Sequence, residues 1–384
     1  MGQPVPKPYR IEFSDEMLSD LVDRLNRTRW PEVPPQEPWV TGTSIAYMQD
    51  LVDYWRDCFD WRAQEILLNR LQQFKVPVGG IDLHFIHEQG KGPNPMPLLL
   101  SHGWPGSIVE FQKIIPLLTD PRHFGGDASD SFTVVAPSLP GYTLSFAPGQ
   151  PRFGCVEIAD VFASLMTDVL GYSRFAAQGG DWGGQITSRL GYAFADRVIG
   201  IHVNLLVRGD PAQSQDPAPE ERIFLSELNH YLKEETGYQW IQGTKPTTLS
   251  FGLTDSPVGL AAWMVEKFQS WTENRGAIED AVSRDDLLSN IMLYWATGAI
   301  GSSFWPYYER AHSPALIPTS ERIAVPTGYA EFPKDFLHLP RSWAERVYGN
   351  IQRWTKMEKG GHFAALEQPE LLAREIREFF RPLR

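Results

Sequence analysis

The stretch Gln178-Gly179-Gly180-Asp181-Trp182-Gly183-Gly184 constrains this chain more than any other, because it joins a short apolar run, Phe175 to Gln178, directly to a helical pattern, Gly183 to Phe194. A strand that becomes a helix within so few residues brings neighbouring backbone close, which demands small residues on both sides of the turn. Gly179 and Gly183, two before and two after Asp181, meet that demand. This is the context of a nucleophile elbow with Asp181 at its tip, where a carboxylate forms an ester intermediate rather than an acyl-serine. The plain alternative is an Asp that caps the helix it precedes.

Extended and helical patterns alternate around this turn. Val78, Ile81, Leu83 and Phe85, then Met96 to Leu100, Phe132 to Ala136 and Val198 to Leu206 read as strands, with a helical pattern at Val156 to Leu170. The alternation predicts an α/β layer with a mostly parallel sheet. From Pro211 to about Pro318 the strand signal stops, and helical windows near Ile223 to Glu235, Pro257 to Trp271 and Asp286 to Ala299 imply an inserted helical unit. Ile323 to Val325 and Ile351 to Met357 restore the strand pattern, and Pro369 to Phe380 reads as a closing helix. Before the sheet, Ser14 to Thr28 and Tyr47 to Phe74 have the spacing of amphipathic helices. The expected division is an N-terminal arm over 1–92, a core over 93–210 and 319–384, and a helical insertion over 211–318.

The 384 residues suffice for a large buried core, and the net charge of −12 repels phosphate backbones and anionic lipid surfaces. Nucleic acid is therefore not an expected partner. Cys58 and Cys155 are too few for a disulfide framework and read as free thiols of a reducing compartment. Met1 to Pro8 holds no apolar run that a signal peptidase or a bilayer could use, so the expected location is the cytosol.

Two further motifs flank the elbow. Ser101-His102-Gly103-Trp104-Pro105-Gly106-Ser107 follows the run Pro97 to Leu100, at the place where such an architecture supplies a backbone N–H to an oxyanion hole. His102 reads as a residue that shapes this loop, and His84 and His87, three apart on a predicted strand, point to opposite faces. No metal site is expected from them. Lys359-Gly360-Gly361-His362-Phe363-Ala364-Ala365-Leu366-Glu367 lies past the last predicted strand, and a His on such a loop can reach over the elbow. The order nucleophile, acid, His then places the acid on the loop after Ile323 to Val325, where Glu331 and Asp335 are the candidates.

Together, His102-Gly103-Trp104-Pro105-Gly106-Ser107, Gly179-Gly180-Asp181-Trp182-Gly183, Pro326-Thr327-Gly328-Tyr329 and Gly360-Gly361-His362-Phe363-Ala364-Ala365 resemble the microsomal-type epoxide hydrolases of the α/β-hydrolase superfamily. The resemblance spans nearly the whole chain, including Tyr9 to Trp61, which is similar to the family's N-terminal meander, and the cap segments Gly237 to Gln242 and Asp255 to Ala262. It implies an α/β-hydrolase fold, mostly parallel, with an inserted helical cap and a meander that wraps the core. The implied reaction converts a lipophilic epoxide and water to a vicinal diol, with no cofactor or metal.

The resemblance assigns Asp181 as nucleophile and His362 as base. It places the acid on Asp335 through Phe332-Pro333-Lys334-Asp335, and two cap phenols on Tyr238 and Tyr307, with the adjacent Tyr308 as the alternative to Tyr307. It gives the backbone N–H groups of Trp104 and Trp182 to an oxyanion hole, and Trp104, Trp182 and Phe363 are the candidate pocket walls. Membrane-bound members carry an N-terminal anchor that this sequence lacks, which implies a soluble form, and the outer face of the arm offers a surface for a homodimer. A haloalkane dehalogenase-like hydrolase shares the Asp-Trp elbow, but a departing alkoxide needs an acid and the two tyrosines supply one. A catalytically idle binding member is disfavoured by the complete set Asp181, Asp335 and His362.

Overall fold

The computed structural model describes residues 4–209, 217–313 and 315–384; the expected start of the helical insertion at Pro211, and Met1, Gly2 and Gln3 of the N-terminal segment, lie outside the described residues. Apolar runs bounded by Gly and Pro form one sheet, which has nine strands among the described residues. They are β1 (Lys7–Tyr9), β2 (Gln73–Val78), β3 (Ile81–Glu88), β4 (Met96–Ser101), β5 (Phe132–Pro137), β6 (Phe175–Gly179), β7 (Val198–Val203), β8 (Thr327–Glu331) and β9 (Ile351–Lys356). Their order is β1-β2-β3-β5-β4-β6-β7-β8-β9. The first three strands pair antiparallel with one another and onto β5, and every pair from β5 to β9 is parallel.

Strands β5 and β6 are buried along their whole length and β4 nearly so, as a parallel sheet covered by helices requires. Because β4 lies between β5 and β6, the chain leaves it in one direction and returns on its other side. The carboxyl ends of β4 and β6 therefore flank a topological switch point, where α/β sheets bind ligands. Helix Asp181–Ala193 packs on β4, β6 and β7, and the amphipathic helix Pro369–Phe380 on β7 and β8.

Between β7 and β8 the described chain is helical, with helices Pro219–Glu234, Gly237–Thr244, Pro246–Asp255, Pro257–Trp271, Arg284–Thr297 and Trp305–His312 among its elements. The N-terminal helices Asp15–Asn26 and Ile45–Asp57 pack against Pro257–Trp271, and Trp61–Leu68 against Arg284–Thr297. Thr43 Oγ1 donates to the Ala262 carbonyl at 2.7 Å and Tyr54 Oη to Asp285 at 2.8 Å. The arm helices thus hold down the cap, while Gln73–Glu88 joins the sheet edge. No helix among the described residues is long and apolar enough to cross a membrane.

Two expected elements differ. The helical pattern at Tyr47 to Phe74 breaks in two, because Asp60 caps a new helix by accepting from the Ala63 N–H at 3.1 Å, and Gln73 and Phe74 already belong to β2. Ile323 to Val325 is not a ladder strand. Ile323 makes one isolated bridge to Tyr348, and the strand begins after Pro326, which has no N–H to give a ladder.

The elbow is a packing constraint as well as a turn. A Cβ on Gly183 would collide with the carbonyls of Ser101 and His102, backbone that has no flexible end to move away. Gly183→Ala is expected to lower the unfolding free energy by about 1–3 kcal/mol through overpacking. Gly252→Ala, in an exposed helix with open space around the position, is expected to raise it by about 0.5–1 kcal/mol. Denaturant unfolding checks both, and a Gly183→Ala variant as stable as the parent would show that the turn is not tightly packed.

Candidate active site

Asp181 is held in the left-handed region, with φ of +50°, a conformation that costs an L-residue energy and persists only where surrounding structure enforces it. Three glycines enforce it here. A Cβ on Gly179 would meet the Gly183 carbonyl, one on Gly180 the Asn204 amide and one on Gly183 the end of β4. The side chain does not cap its helix: Gly180 is the capping residue, and Asp181 Oδ1 instead accepts from the backbone N–H of Trp104, 2.7 Å away at the end of β4. Trp182 is the second residue of the helix, so its N–H has no acceptor within the helix and lies at the positive end of the helix dipole.

His362 stands over the other oxygen. Its Nε2 is 3.4 Å from Asp181 Oδ2, and its Nδ1 is 2.8 Å from Asp335 Oδ1. Burial disfavours a charged imidazole, but Asp335 and then Asp181 outweigh it and raise the His362 pKa to about 10. The ring is walled by Trp271, Phe336 and Phe363 with centroids 4.9, 4.8 and 5.1 Å away, and the His362 N–H donates to the Trp271 carbonyl at 2.8 Å. Asp335 follows β8 by four residues and is buried. Glu331 ends β8 and turns instead to the Trp354 indole N–H, at 3.2 Å.

From the cap, Tyr238 and Tyr307 descend on the same place. Both are buried, with ring centroids 5.7 Å apart. Tyr238 stacks on the Trp104 indole at 5.5 Å, and Tyr307 meets Trp182 edge to face at 4.7 Å. Burial, then the neighbouring phenol and Asp181, keeps both hydroxyls protonated well above the usual range of tyrosine. Tyr308 turns away, stacking on Trp305 at 4.8 Å and on His312 at 4.1 Å. A cavity of 420 Å³ opens beside Asp181 and is walled by Trp182, Leu205, Tyr238, Tyr307 and Phe336 among others. A larger cavity of 590 Å³ lies between the arm and Pro257–Trp271 and holds none of these groups.

Of the three expected pocket walls, Trp182 lines the 420 Å³ cavity and Trp104 and Phe363 do not. Phe363 is stacked flat on Phe268 at 4.2 Å, and with Trp104 it borders a much smaller cavity that Asp181 also lines. His102 shapes its loop, with Nδ1 3.0 Å from the Gly103 carbonyl and Nε2 accepting from the Leu139 N–H at 3.2 Å.

Several groups in the site carry no signal of their own in the sequence. Glu367 binds the loop that bears His362, accepting from the N–H groups of Glu273, Gly361 and Phe363 at 2.8 to 3.0 Å. Its place five residues after His362, in a loop that needs acceptors, was the available clue. Tyr231 lies beside Tyr238, and Gln239 Nε2 donates to both phenol oxygens, at 3.0 and 2.9 Å.

Known proteins similar to this chain identify its family. The family described as epoxide hydrolase N terminus matches residues 6–111, and the alpha/beta hydrolase fold matches residues 96–206. Epoxide hydrolase 1 of Oryctolagus cuniculus is 38% identical over 401 residues, covering 97% of this chain and 88% of the relative. The crystal structure of juvenile hormone epoxide hydrolase from Bombyx mori superposes with a TM-score of 0.88 at 32% identity, covering 99% of this chain and 95% of that one. The Aspergillus niger epoxide hydrolase structure gives 0.84 at 30% identity, covering 99% and 97%. With the Asp181 elbow at the switch point of a mostly parallel sheet and these relatives along its whole length, the chain belongs to the epoxide hydrolases of the α/β-hydrolase fold.

Proposed function

We propose that this enzyme opens a lipophilic epoxide by attack of Asp181 and releases the vicinal diol by hydrolysis of the resulting ester with water activated by His362. The observation that carries this reading is the placement of the two Asp181 oxygens. Oδ1 is held by the Trp104 N–H, while Oδ2 faces the His362 ring, with Nε2 3.4 Å away. Oδ2 is therefore the attacking oxygen, and Oδ1 becomes the ester carbonyl already seated in its oxyanion hole.

In the first step Asp181 Oδ2 bonds to an epoxide carbon as the C–O bond breaks. The electron pair goes to the epoxide oxygen, which takes a proton from Tyr238 or Tyr307. Phenols suit this task because they stay protonated at neutral pH without being ions that must be desolvated. Esterification removes the charge of Asp181, and with it one of the two carboxylates that hold the proton on His362. The imidazole pKa then falls and the imidazolium gives its proton to the phenolate left by the ring opening, so the reaction itself turns His362 from a partner of the nucleophile into a base.

In the second step water gives a proton to His362 and its oxygen to the Asp181 carbonyl carbon. Negative charge builds on Oδ1, where the N–H groups of Trp104 and Trp182 meet it; removing one such donor costs ~10² to 10³ in rate. Collapse expels the diol oxygen, which takes up the remaining proton of the hydroxyl that water added, and restores the carboxylate with His362 protonated as at the start. The aromatic lining supports an apolar substrate. We read the setting as cytosolic, on the two free thiols of Cys58 and Cys155.

Tyr307→Phe is expected to reduce kcat/KM for diol formation from styrene oxide by ~10² or more, as loss of a proton donor does. Tyr308→Phe is expected to leave it near the parent value, and the opposite ranking would exchange the two roles. In an NMR titration of the resting protein, the His362 imidazole should remain protonated through neutral pH and lose its proton only as pH rises toward about 10. Asp181→Asn should lower that midpoint by about one unit or more, and an unchanged midpoint would show that Asp181 does not set the charge of His362.

A further inference from the structure

Asp181 also borders a second cavity, of 20 Å³, whose other walls differ from those of the 420 Å³ cavity. Its walls include Glu110, Asp181, His362, Gln178 and Ser101. A cavity needs roughly 10–15 Å³ of this kind of volume to take one water, so the space is sized for a single molecule. It is also polar. Ser101 Oγ is buried without a hydrogen-bond partner, and the Glu110 carboxyl borders the same space. Buried polar groups of this kind are satisfied by ordered water far more often than left unpaired.

Glu110 is built into its place. It sits on a short helical turn, Ile108–Phe111, capped by Ser107, whose Oγ accepts from the Val109 N–H at 3.2 Å. The loop before it is pinned by Asn290, which donates to the Pro105 carbonyl at 2.7 Å, and by Tyr294, whose hydroxyl donates to the Gly106 carbonyl at 2.7 Å. Gly106 leaves room for the carboxyl, since a Cβ there would collide with Glu110 Oε1. The elbow, the His362 loop and this turn thus meet around one water-sized space.

We propose that this space seats the water that hydrolyses the Asp181 ester, and that Glu110 is the residue that positions it. The proposal rests on the ester reading given above. The water donates one proton to His362 Nε2 and its other hydrogen bond to the Glu110 carbonyl oxygen, which leaves a lone pair directed at the Asp181 carbonyl carbon. Burial pushes the Glu110 carboxyl up to about 8, with His362 opposing and Asp181 and Glu367 adding, so it is neutral at pH 7 and leaves the charge of the His362 relay undisturbed.

The test is a single turnover of styrene oxide with excess enzyme, quenched at intervals and read as intact-protein mass, so that formation and decay of the adduct are separate rates. Glu110→Leu should form the adduct at close to the parent rate and lose it slower by about 10², the scale of a misplaced reactant. Glu110→Gln, which keeps a carbonyl acceptor, should recover most of that loss; Glu110→Ala should repeat the split if leucine prevents folding. His362→Gln is the reference, because it should trap the adduct whatever Glu110 does. Adduct in His362→Gln together with decay at the parent rate in both Glu110→Leu and Glu110→Ala would overturn the role of Glu110 alone. Equal slowing of formation and decay in all Glu110 variants would also overturn it, as damage to the site. No adduct in His362→Gln would overturn the ester reading and this proposal with it.

Discussion

The approach of the Gly183 backbone to the carbonyl of Ser101 is the contact on which the rest of the site depends. It brings the end of β6 against the end of β4, and only glycine permits it. From this contact follow the left-handed Asp181, the Trp104 N–H at 2.7 Å from Oδ1 and the exposure of Oδ2 to the His362 ring. Strain at Asp181 is maintained by a sheet whose central strands are buried, so this carboxylate is positioned by the least deformable part of the molecule. The cap contributes what a sheet end lacks, two buried phenols above the carboxylate, and the arm helices hold the cap in place.

The second organising feature is charge. His362 lies between two carboxylates in a buried, aromatic setting, where each negative charge strongly favours the imidazolium. In the proposed mechanism, ester formation on Asp181 removes one of those charges and leaves Asp335 to orient the ring. That substitution of charge by ester would switch the imidazole to the base that the next step needs. Glu367 stands outside this exchange, holding the loop through three backbone N–H groups.

Much of this was legible in the sequence because the chemistry is written in short, local strings. Gly179 and Gly183 flank Asp181 at a spacing that only a strand-to-helix turn explains, and His362 lies in a Gly-rich loop after the last strand. The mostly parallel sheet and the helical insertion followed from the alternation of patterns. What was not legible depends on side-chain direction or on tertiary partners. Tyr307 and Tyr308 differ by one position on a helix, and only packing shows that one faces Trp182 while the other stacks on His312. Ile323 to Val325 was more apolar than the true strand Thr327–Glu331, so hydrophobicity placed that strand four residues early. Glu110 belongs to none of the motifs read from the sequence, and only the fold brings it to the small cavity that Asp181 borders.

The central claim is that Asp181, rather than water, attacks the epoxide. Its most direct measurement is a single turnover with excess enzyme in heavy-oxygen water, followed by mass analysis of the diol and of the peptide bearing Asp181. Covalent catalysis predicts an unlabelled diol, which carries away an original Asp181 oxygen, and one heavy oxygen in the Asp181 side chain. A labelled diol from that first turnover, with Asp181 unlabelled, would contradict the account and assign the attack to water.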